Sequence, residues 1–271
     1  MSFAISAGFV EIAKLDQLEK LNLMSCHLTD AGCAEIAKLT HLKELNLSLN
    51  ARITLTGLAE IAKLIHLKEL NLSFNPQITS AGFAEIAKLT QLEKLDLSSC
   101  NLTNVHCAEI AKLIHLKELN LSDNDRIISV GLQKLKLTQL QKINLTNCNV
   151  TDAGCIAIAQ LTNLQELRLK ENHQITFTGF TTIFATLTRL ELLDLGYNHT
   201  VTDDLCGEIA KLVNLKVLDL RWCDHITFTG LASIAKLREL RKLKIVSCQR
   251  VDTDQTIEMF RARNPRCVIE Y

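Results

Sequence analysis

Three features are scarce in this sequence of 271 residues: excess charge of one sign, long apolar runs and aromatic side chains. Lysine plus arginine and aspartate plus glutamate number 30 each, so the formal net charge is zero. Neutrality argues against nucleic-acid binding, whose affinity rests on a basic surface. It also removes the polybasic attraction that holds peripheral proteins on anionic membranes. We therefore expect neither a nucleic acid nor a membrane as partner.

The motifs of secretion, membrane insertion and catalysis are also missing. No apolar run approaches the ~20 residues of a membrane-spanning helix. The segment Met1–Glu11 lacks the basic start and long apolar stretch of a secretory signal. The sequence contains no glycine-rich phosphate loop, no nucleophile elbow and no His-Glu-x-x-His pair. These absences predict that the protein is not an enzyme, with no catalytic residue and no cofactor.

What the sequence does contain is one frame repeated along its whole length. The frame is L-x-x-L-x-L-x-x-N, as in Leu67–Asn75, and it is the frame of the leucine-rich repeat. Its last position recurs at intervals of 24 to 26 residues and is occupied by Cys26, Asn50, Asn75, Cys100, Asn124, Cys148, Asn172, Asn198, Cys223 and Cys248. A period this regular predicts a solenoid, in which each repeat packs on its neighbours.

Each repeat divides into a strand, a turn and a helix. The strand is the L-x-L segment, for example Leu45–Leu47, with alternate side chains facing the core. The Asn or Cys follows, where its side chain can bond turn backbone groups that no strand partner reaches. The helix follows, as in 29–39, with Thr29 or Asp30 as N-cap. Because every crossover is helical, the strands should be parallel. We therefore predict a curved α/β solenoid, a horseshoe with a parallel sheet on its concave side and helices on its convex side.

The repeat frame also predicts the domain organisation. Residues 1–271 form a single domain of about ten repeats that starts mid-repeat. Segment 131–137 is one residue shorter than its counterparts, so its helix should be distorted. A last helix and an eleventh strand are expected near 256–271. The uncapped start places Ile5, Phe9 and Ile12 near an end, where self-association is possible.

The ten cysteines follow the repeat rather than a disulfide framework. Half alternate with Asn in the turn, and Cys33 stands where Leu58 stands in the next repeat. A cysteine that replaces leucine behaves as a small buried hydrophobe. Free buried thiols are typical of a reducing compartment. We therefore predict a cytosolic protein, acting in its own cytosol or in that of a cell it is delivered into.

Two segments carry a more specific resemblance. Leu92–Cys100 with Leu102-Thr103, and Leu215–Cys223 with Ile226–Leu231, resemble the cysteine-containing subfamily of leucine-rich repeats. The resemblance covers nearly the whole chain. It implies the substrate-binding arm of F-box ubiquitin ligases, or an effector of an intracellular bacterium. The near-identical repeats, with Glu-Ile-Ala-Lys-Leu recurring, favour the bacterial alternative. The few residues before Ile5 leave no room for an F-box, so a ligase arm would need a recruiting domain from elsewhere.

The outward-facing strand positions are the informative ones for binding, because the fold does not dictate them. In the first six repeats they are mostly Asn and Ser. From the seventh repeat the face changes, and we predict that a protein partner binds there, at Arg168, Lys170, Glu171, Asp194, Tyr197, Asp219, Arg221 and Trp222. Trp, Tyr and Arg dominate protein–protein hot spots. The alternative is that drift diversified the late repeats, and both interpretations remain open.

Three further groups of residues have both a functional and a structural interpretation. His173 and His199 occupy equivalent turns, but no carboxylate or thiol set completes a zinc site, so we expect no bound metal. Asp194 and Asp219 could form a carboxylate pair, and the neighbouring Arg168 and Arg221 favour an ion-pair network instead. Leu49 and Phe74 form a weaker apolar patch, interpreted as covering the loop edge.

Overall fold

The computed structural model describes residues 8–127, 129–251 and 254–271. The chain divides into two compact units, residues 1–127 and residues 128–271, here called the N-terminal and C-terminal units. The prediction of a single domain is not tested by this division. Ile5 lies outside the described residues. Phe9 is buried beside Gly32 and Ile12 is partly exposed, and self-association through this end stays a prediction.

The N-terminal unit alternates three-residue strands with seven-residue helices. Its strands are β1 (Lys20–Asn22), β2 (Glu44–Asn46), β3 (Glu69–Asn71), β4 (Lys94–Asp96) and β5 (Glu118–Asn120), paired in parallel in chain order. The helices that follow β1, β2, β3 and β4 are α1 (Asp30–Ile36), α2 (Leu55–Ile61), α3 (Ser80–Ile86) and α4 (Asn104–Ile110).

The C-terminal unit continues the same alternation. Its strands are β6 (Lys142–Asn144), β7 (Glu166–Arg168), β8 (Leu192–Asp194), β9 (Val217–Asp219), β10 (Lys242–Lys244) and β11 (Val268–Glu270), again parallel and in chain order. Its helices are α5 (Ser129–Leu132), α6 (Asp152–Ile158), α7 (Phe177–Phe184), α8 (Asp203–Ile209), α9 (Phe228–Ile234) and α10 (Asp254–Arg263). The predicted α/β solenoid of parallel strands and helical returns is thus confirmed in each unit.

The irregular elements also follow the sequence. Helix α5 has four residues where the flanking helices have seven, which confirms the distortion expected from the missing residue. The terminal helix α10 and the eleventh strand β11 are present, and β11 pairs in parallel with β10. Among the described residues, no helix has the length and apolarity that a membrane span requires.

The core consists of side chains from equivalent positions of successive repeats. In β2 the middle residue Leu45 and the following Leu47 are buried, whereas the flanking Glu44 and Asn46 are partly exposed on the other side. The turn asparagines tie successive repeats together. The Asn50 Nδ2 donates to the Leu23 and Leu47 carbonyls, and its Oδ1 accepts from the Leu28 amide. These bonds confirm the role predicted for that position and satisfy backbone groups that would otherwise be buried unpaired.

Threonine is the residue that opens the regular helices. Thr29 has the extended conformation of an N-cap, and Asp30 is the first helical residue. The sequence left both residues open as caps, and the structure selects the threonine. Asp30 instead accepts hydrogen bonds from the backbone amide and the hydroxyl of Thr54 in the next repeat, at 2.8 and 2.5 Å. The cap position therefore also carries a contact between repeats.

Candidate functional site

The eight residues predicted to bind a partner all lie in the C-terminal unit, on β7, β8, β9 and the turns that follow them. In β8 the Leu193 side chain is buried in the core, while Asp194 belongs to the opposite side of the sheet. The register pairs Arg168 with Asp194 and Asp194 with Asp219 on neighbouring strands. We call the surface formed by Arg168, Lys170, Glu171, Asp194, Tyr197, Asp219, Arg221 and Trp222 the charged–aromatic face.

Two aromatic rings form the centre of this face. The rings of Tyr197 and Trp222 are stacked, with centroids 5.4 Å apart and planes 23° apart. The Lys170 Nζ lies 4.5 Å from the centroid of the Tyr197 ring, within cation–π range, and 3.1 Å from a Glu171 carboxylate oxygen. The adjacency of Tyr197 and Trp222 expected from parallel strands is confirmed. Their role in binding stays a prediction.

These aromatic residues sit on a backbone conformation that favours other residue types. Glu171, Tyr197 and Trp222 have φ values of 59°, 60° and 60°, in the left-handed region. The same position is left-handed from Ser25 to Ser247, so the repeat imposes the conformation. Asn, Asp and Gly tolerate it best, and bulky residues there are uncommon. Aromatic residues at this position are therefore not explained by the needs of the backbone.

Asp219 is the anchor of an ion-pair cluster. Asp219 is 3% exposed. Its carboxylate accepts hydrogen bonds from the Arg221 Nε at 2.9 Å and the Arg221 Nη2 at 2.7 Å, and it forms an ion pair with the Lys244 Nζ at 3.2 Å. Burial alone would raise the pKa of Asp219, but the hydrogen bonds from Arg221 and Lys244 outweigh it, so this pKa lies below its usual value. Asp219 therefore carries its negative charge at neutral pH and holds the Arg221 guanidinium in place.

The predicted network contains a direct ion pair for Arg221, whereas Arg168 acts on Asp194 only through its charge at a distance. The Arg168 Nη2 lies 3.7 Å from the Glu166 Oε2, and no ion pair joins Arg168 to either aspartate among the described residues. Asp194 is 7% exposed and accepts one hydrogen bond, from the Gly196 amide at 3.1 Å. Burial, and then repulsion by Asp219, raise the pKa of Asp194. The two aspartates are neighbours with opposite shifts in pKa.

Several residues of this surface were missed by the sequence reasoning. Leu192 and Val217 are adjacent, partly exposed apolar residues at the first strand position, where β6 and β7 carry the Lys142–Glu166 ion pair and β10 carries Lys242. Lys244 completes the Asp219 cluster, and Gly196 leaves a gap in the surface beside Asp194. A signal existed for the first pair, because Leu and Val replace Lys and Glu at a fixed position of the frame.

Other candidate groups lie outside this face. His173 and His199 are stacked, with ring centroids 5.6 Å apart. In the described part of the chain, no group of three His, Cys, Asp or Glu side chains is placed to hold a metal ion. Leu49 and Phe74, in the N-terminal unit, occupy the same left-handed position as Tyr197 and Trp222, and they are 41% and 50% exposed.

Comparison with known proteins agrees with this architecture. A family described as "Leucine-rich repeat region" matches residues 88–267, more than half of the chain, and a second, "Leucine Rich repeat", matches residues 18–37, 38–62 and 63–87. A search of curated proteins finds no match.

Two solved structures illustrate the likeness. An internalin from Listeria monocytogenes is 16% identical, with a TM-score of 0.51 over 98% of this chain and 93% of that one. A chain of the Rad7–Elc1 complex from yeast is 20% identical, with a TM-score of 0.51 over 97% of this chain and 82% of that one. At these identities the likeness shows the fold alone.

Proposed function

The chain belongs to the leucine-rich repeat family, and from that premise we propose that its charged–aromatic face binds a partner protein. Repeat families of this kind are typically binding modules rather than enzymes. The observation that carries the proposal is the Tyr197–Trp222 stack. It is a stacked aromatic surface at a backbone position that disfavours bulky residues, on the side of the sheet that faces away from the core.

The energetics of protein interfaces support this surface. Trp, Tyr and Arg are enriched among the few residues that dominate binding energy, and rigid aromatic rings lose little entropy on binding. Trp222 is 41% exposed, so part of its ring is available for contact. Arg221 is fixed by Asp219 before any partner arrives, which reduces the cost of ordering it. A preformed aromatic centre surrounded by charged side chains is typical of a binding hot spot.

The test compares two matched double variants. Tyr197→Ala/Trp222→Ala removes the stack, and Leu49→Ala/Phe74→Ala removes two apolar side chains from the same left-handed position in the N-terminal unit. Each immobilised protein, verified as folded by circular dichroism, is used for affinity capture from eukaryotic cytosol. We expect a partner that the wild type and the Leu49/Phe74 variant retain and that the Tyr197/Trp222 variant binds at least tenfold more weakly.

Either of two results would contradict the proposal. Equal retention by all three proteins would move the interface away from the charged–aromatic face. Loss only in the Leu49/Phe74 variant would transfer the binding role to the N-terminal unit. Because all four replaced residues share one backbone conformation, a general effect of alanine on folding should appear equally in both variants.

The first cellular setting we propose for this module is that of a bacterial effector in host cytosol. The near-identical Glu-Ile-Ala-Lys-Leu segments favour recent duplication, and all ten cysteines are free, which suits a reducing compartment. Translocation of a reporter fusion into infected cells tests this setting, and failure to translocate would count against it.

The alternative setting is the substrate-recognition arm of a ubiquitin ligase. It is motivated by the resemblance to repeat arms of F-box proteins and by the likeness to a chain of the Rad7–Elc1 complex. Here the recruiting domain would be supplied by another part of the assembly. Co-purification of ligase components with the chain would support this alternative. Capture of a partner without any ligase component would favour the effector.

A further inference from the structure

Three aspartates occupy the same outward position of a strand, and they differ in what satisfies them. Asp96 accepts from both the amide and the hydroxyl of Ser98, at 2.9 and 2.7 Å. Asp219 accepts from the amide of Arg221 at 3.2 Å and from its guanidinium. Asp194 accepts only from the Gly196 amide, through Oδ1. Among the described residues, no hydrogen bond or ion pair reaches its Oδ2. Asp194 is therefore the one of the three without a side-chain donor.

The missing donor is a consequence of Gly196. Strands β2 to β6 carry Ser or Thr two residues after the outward Asn or Asp, and Ser48, Ser73 and Thr146 donate their hydroxyls to it. Glycine at 196 is not required by the backbone, since no described glycine has a positive φ. A Cβ there would lie 3.4 Å from the Asp194 Oδ1 and 3.6 Å from the Asp219 Oδ1. The same Cβ would also lie 3.4 Å from the Arg221 carbonyl oxygen, and all three are ordinary contact distances, so the glycine leaves a shallow hollow of about methyl size beside two buried carboxylates.

The cationic side chains around this hollow form ion pairs or cation–π contacts with residues other than Asp194. Lys170 contacts Glu171 and the Tyr197 ring, and Lys244 contacts Asp219. Arg221 is also bound to Asp219. The Asp194 carboxylate is nine-tenths buried and lies next to a second carboxylate; Arg168 and Arg221 attract it from a distance, but no cation lies within ion-pair distance of it in the described ranges. Burying an unpaired charge is costly, so a cationic donor from outside would gain the interaction that the chain itself leaves unmade.

We propose that the hollow over Gly196 receives a lysine side chain of the partner protein, with its ammonium group bound to Asp194. This inference rests on the proposed function, because the lysine belongs to the protein that binds the charged–aromatic face. Lysine fits better than arginine. A compact ammonium needs only one acceptor, and the Asp194 Oδ2 accepts no hydrogen bond among the described residues, whereas a guanidinium fork pairs best with two oxygens, of which Oδ1 already accepts the Gly196 amide. The thin lysine stem would pass beside the Tyr197 ring.

One side chain of the protein could compete for this place. Arg168 lies opposite Asp194 in the strand register, although its guanidinium is directed at Glu166 at 3.7 Å. If Arg168 supplied the donor to Asp194 in solution, the hollow would be closed to a lysine. Replacing Arg168 with Gln therefore belongs in the test, since it separates an open hollow from one that the chain fills itself.

The probe is Nα-acetyl-lysine methylamide, titrated into isotopically labelled full-length protein. The amide resonance of Gly196 is the reporter, because that amide donates to the Asp194 carboxylate. We expect a saturable shift of this resonance and a fall in the pKa of the Asp194 carboxyl as the ammonium binds. Nα-acetyl-norleucine methylamide, which lacks the charge, should produce neither change. Asp194→Asn and Gly196→Ser should each weaken the response at least tenfold. Gly196→Ser reproduces the Ser98 arrangement and should fold normally.

The proposal is overturned if no saturable shift appears, or if both variants respond like the wild type. It is also overturned if the shift appears only in Arg168→Gln, because the arginine then fills the hollow. Its failure is distinguishable from failure of the proposed function. A captured partner that is lost from Tyr197→Ala/Trp222→Ala but retained by Gly196→Ser would leave the binding face intact and remove the lysine site alone.

Discussion

At the scale of single residues, the turn asparagines form hydrogen bonds to backbone groups that the leucines of the frame cannot form. Asn124 accepts from the amides of Cys100 and Leu102 at 3.1 and 2.9 Å, and it donates to three carbonyls between 2.8 and 3.1 Å. A cysteine at this position makes fewer and weaker bonds, as Cys100 does with the Leu72 carbonyl. One side chain therefore satisfies buried backbone groups in two successive repeats.

Asn124→Ala should be among the most destabilising single substitutions in the N-terminal unit. It strands several buried backbone groups, each costing roughly 1–3 kcal/mol when left unpaired. We expect a loss of at least ~3 kcal/mol in the free energy of unfolding, measured by urea titration. Asn120→Ala is the control, since its Oδ1 accepts a single amide, that of Ser122, and its loss should cost about 1 kcal/mol. Equal losses in both variants would contradict the role assigned to Asn124.

A second prediction at this scale concerns His106, which replaces the glycine of other repeats. Its ring is buried against Phe83, its Nδ1 accepts from the Thr103 amide, and among the described residues its Nε2 forms no hydrogen bond. Burial lowers the pKa of His106 below the ordinary value of about 6.5. The unfolded chain therefore takes up a proton at a higher pH than the folded chain. The stability that the neutral His106 ring contributes is complete above about pH 6.5 and is lost as the pH falls below that value.

We expect the free energy of unfolding to drop more steeply between about pH 7.5 and pH 5.5 in the wild type than in His106→Gln. Glutamine can still accept the Thr103 amide in the capping-box position, but it does not titrate. Urea titrations at both pH values give the two slopes. Identical slopes would mean that the folded chain accommodates the protonated ring.

At the scale of elements, one kind of contact joins three pairs of neighbouring helices, α1–α2, α6–α7 and α8–α9. Asp152, the first residue of α6, accepts from the Thr176 amide at 2.8 Å and from the Thr176 hydroxyl at 2.5 Å, at the start of α7. Asp30 and Asp203 make the same contact with Thr54 and Thr227. The carboxylate needs the space above a glycine. A Cβ on Gly179 would lie 2.2 Å from the Asp152 Oδ1.

Gly179→Ala should therefore destabilise the protein, because the clash exceeds the gain of about 1 kcal/mol that alanine brings to a helix. In the Asp152→Ala background the clash with the carboxylate disappears and only the contact with the Ile175 Cγ2 at 2.9 Å remains, so the double variant should cost at least ~1 kcal/mol less than the sum of the single variants. Gly154→Ala serves as control, since its Cβ would meet a leucine methyl at 3.1 Å. Additive effects of Gly179→Ala and Asp152→Ala would show that the two residues do not interact.

The sequence predicted the strands and helices more completely than it predicted the side-chain contacts. The fixed frame determines which residues form strands, and the missing residue in segment 131–137 predicts the short α5. The adjacency of Tyr197 and Trp222 follows from their 25-residue spacing on parallel strands. The partners of Arg168 and Asp194 did not follow. They depend on which of several neighbouring carboxylates a flexible guanidinium contacts, and strand register alone does not decide that.

At the scale of the whole molecule, the ten cysteines provide a test of packing. Cys26 is partly exposed, and the other nine are buried. Burial raises the pKa of Cys33, Cys155 and Cys206 to about 12, far from the range in which thiolates form. With a chromogenic disulfide reagent at neutral pH, we expect one thiol to react rapidly in the native protein and ten to react in denaturant. Rapid reaction of several native thiols would contradict the buried cysteine positions.

The proposal that the charged–aromatic face binds a protein is tested most directly by photo-crosslinking. A photoreactive amino acid replaces Val246, which is exposed on the strand side beside Trp222, or Ile156, which is exposed on α6 of the same unit. Both variants are irradiated with the captured partner. The proposal predicts a covalent adduct from position 246 and none from position 156. An adduct from position 156 alone would place the interface on the helices and contradict the role of the charged–aromatic face.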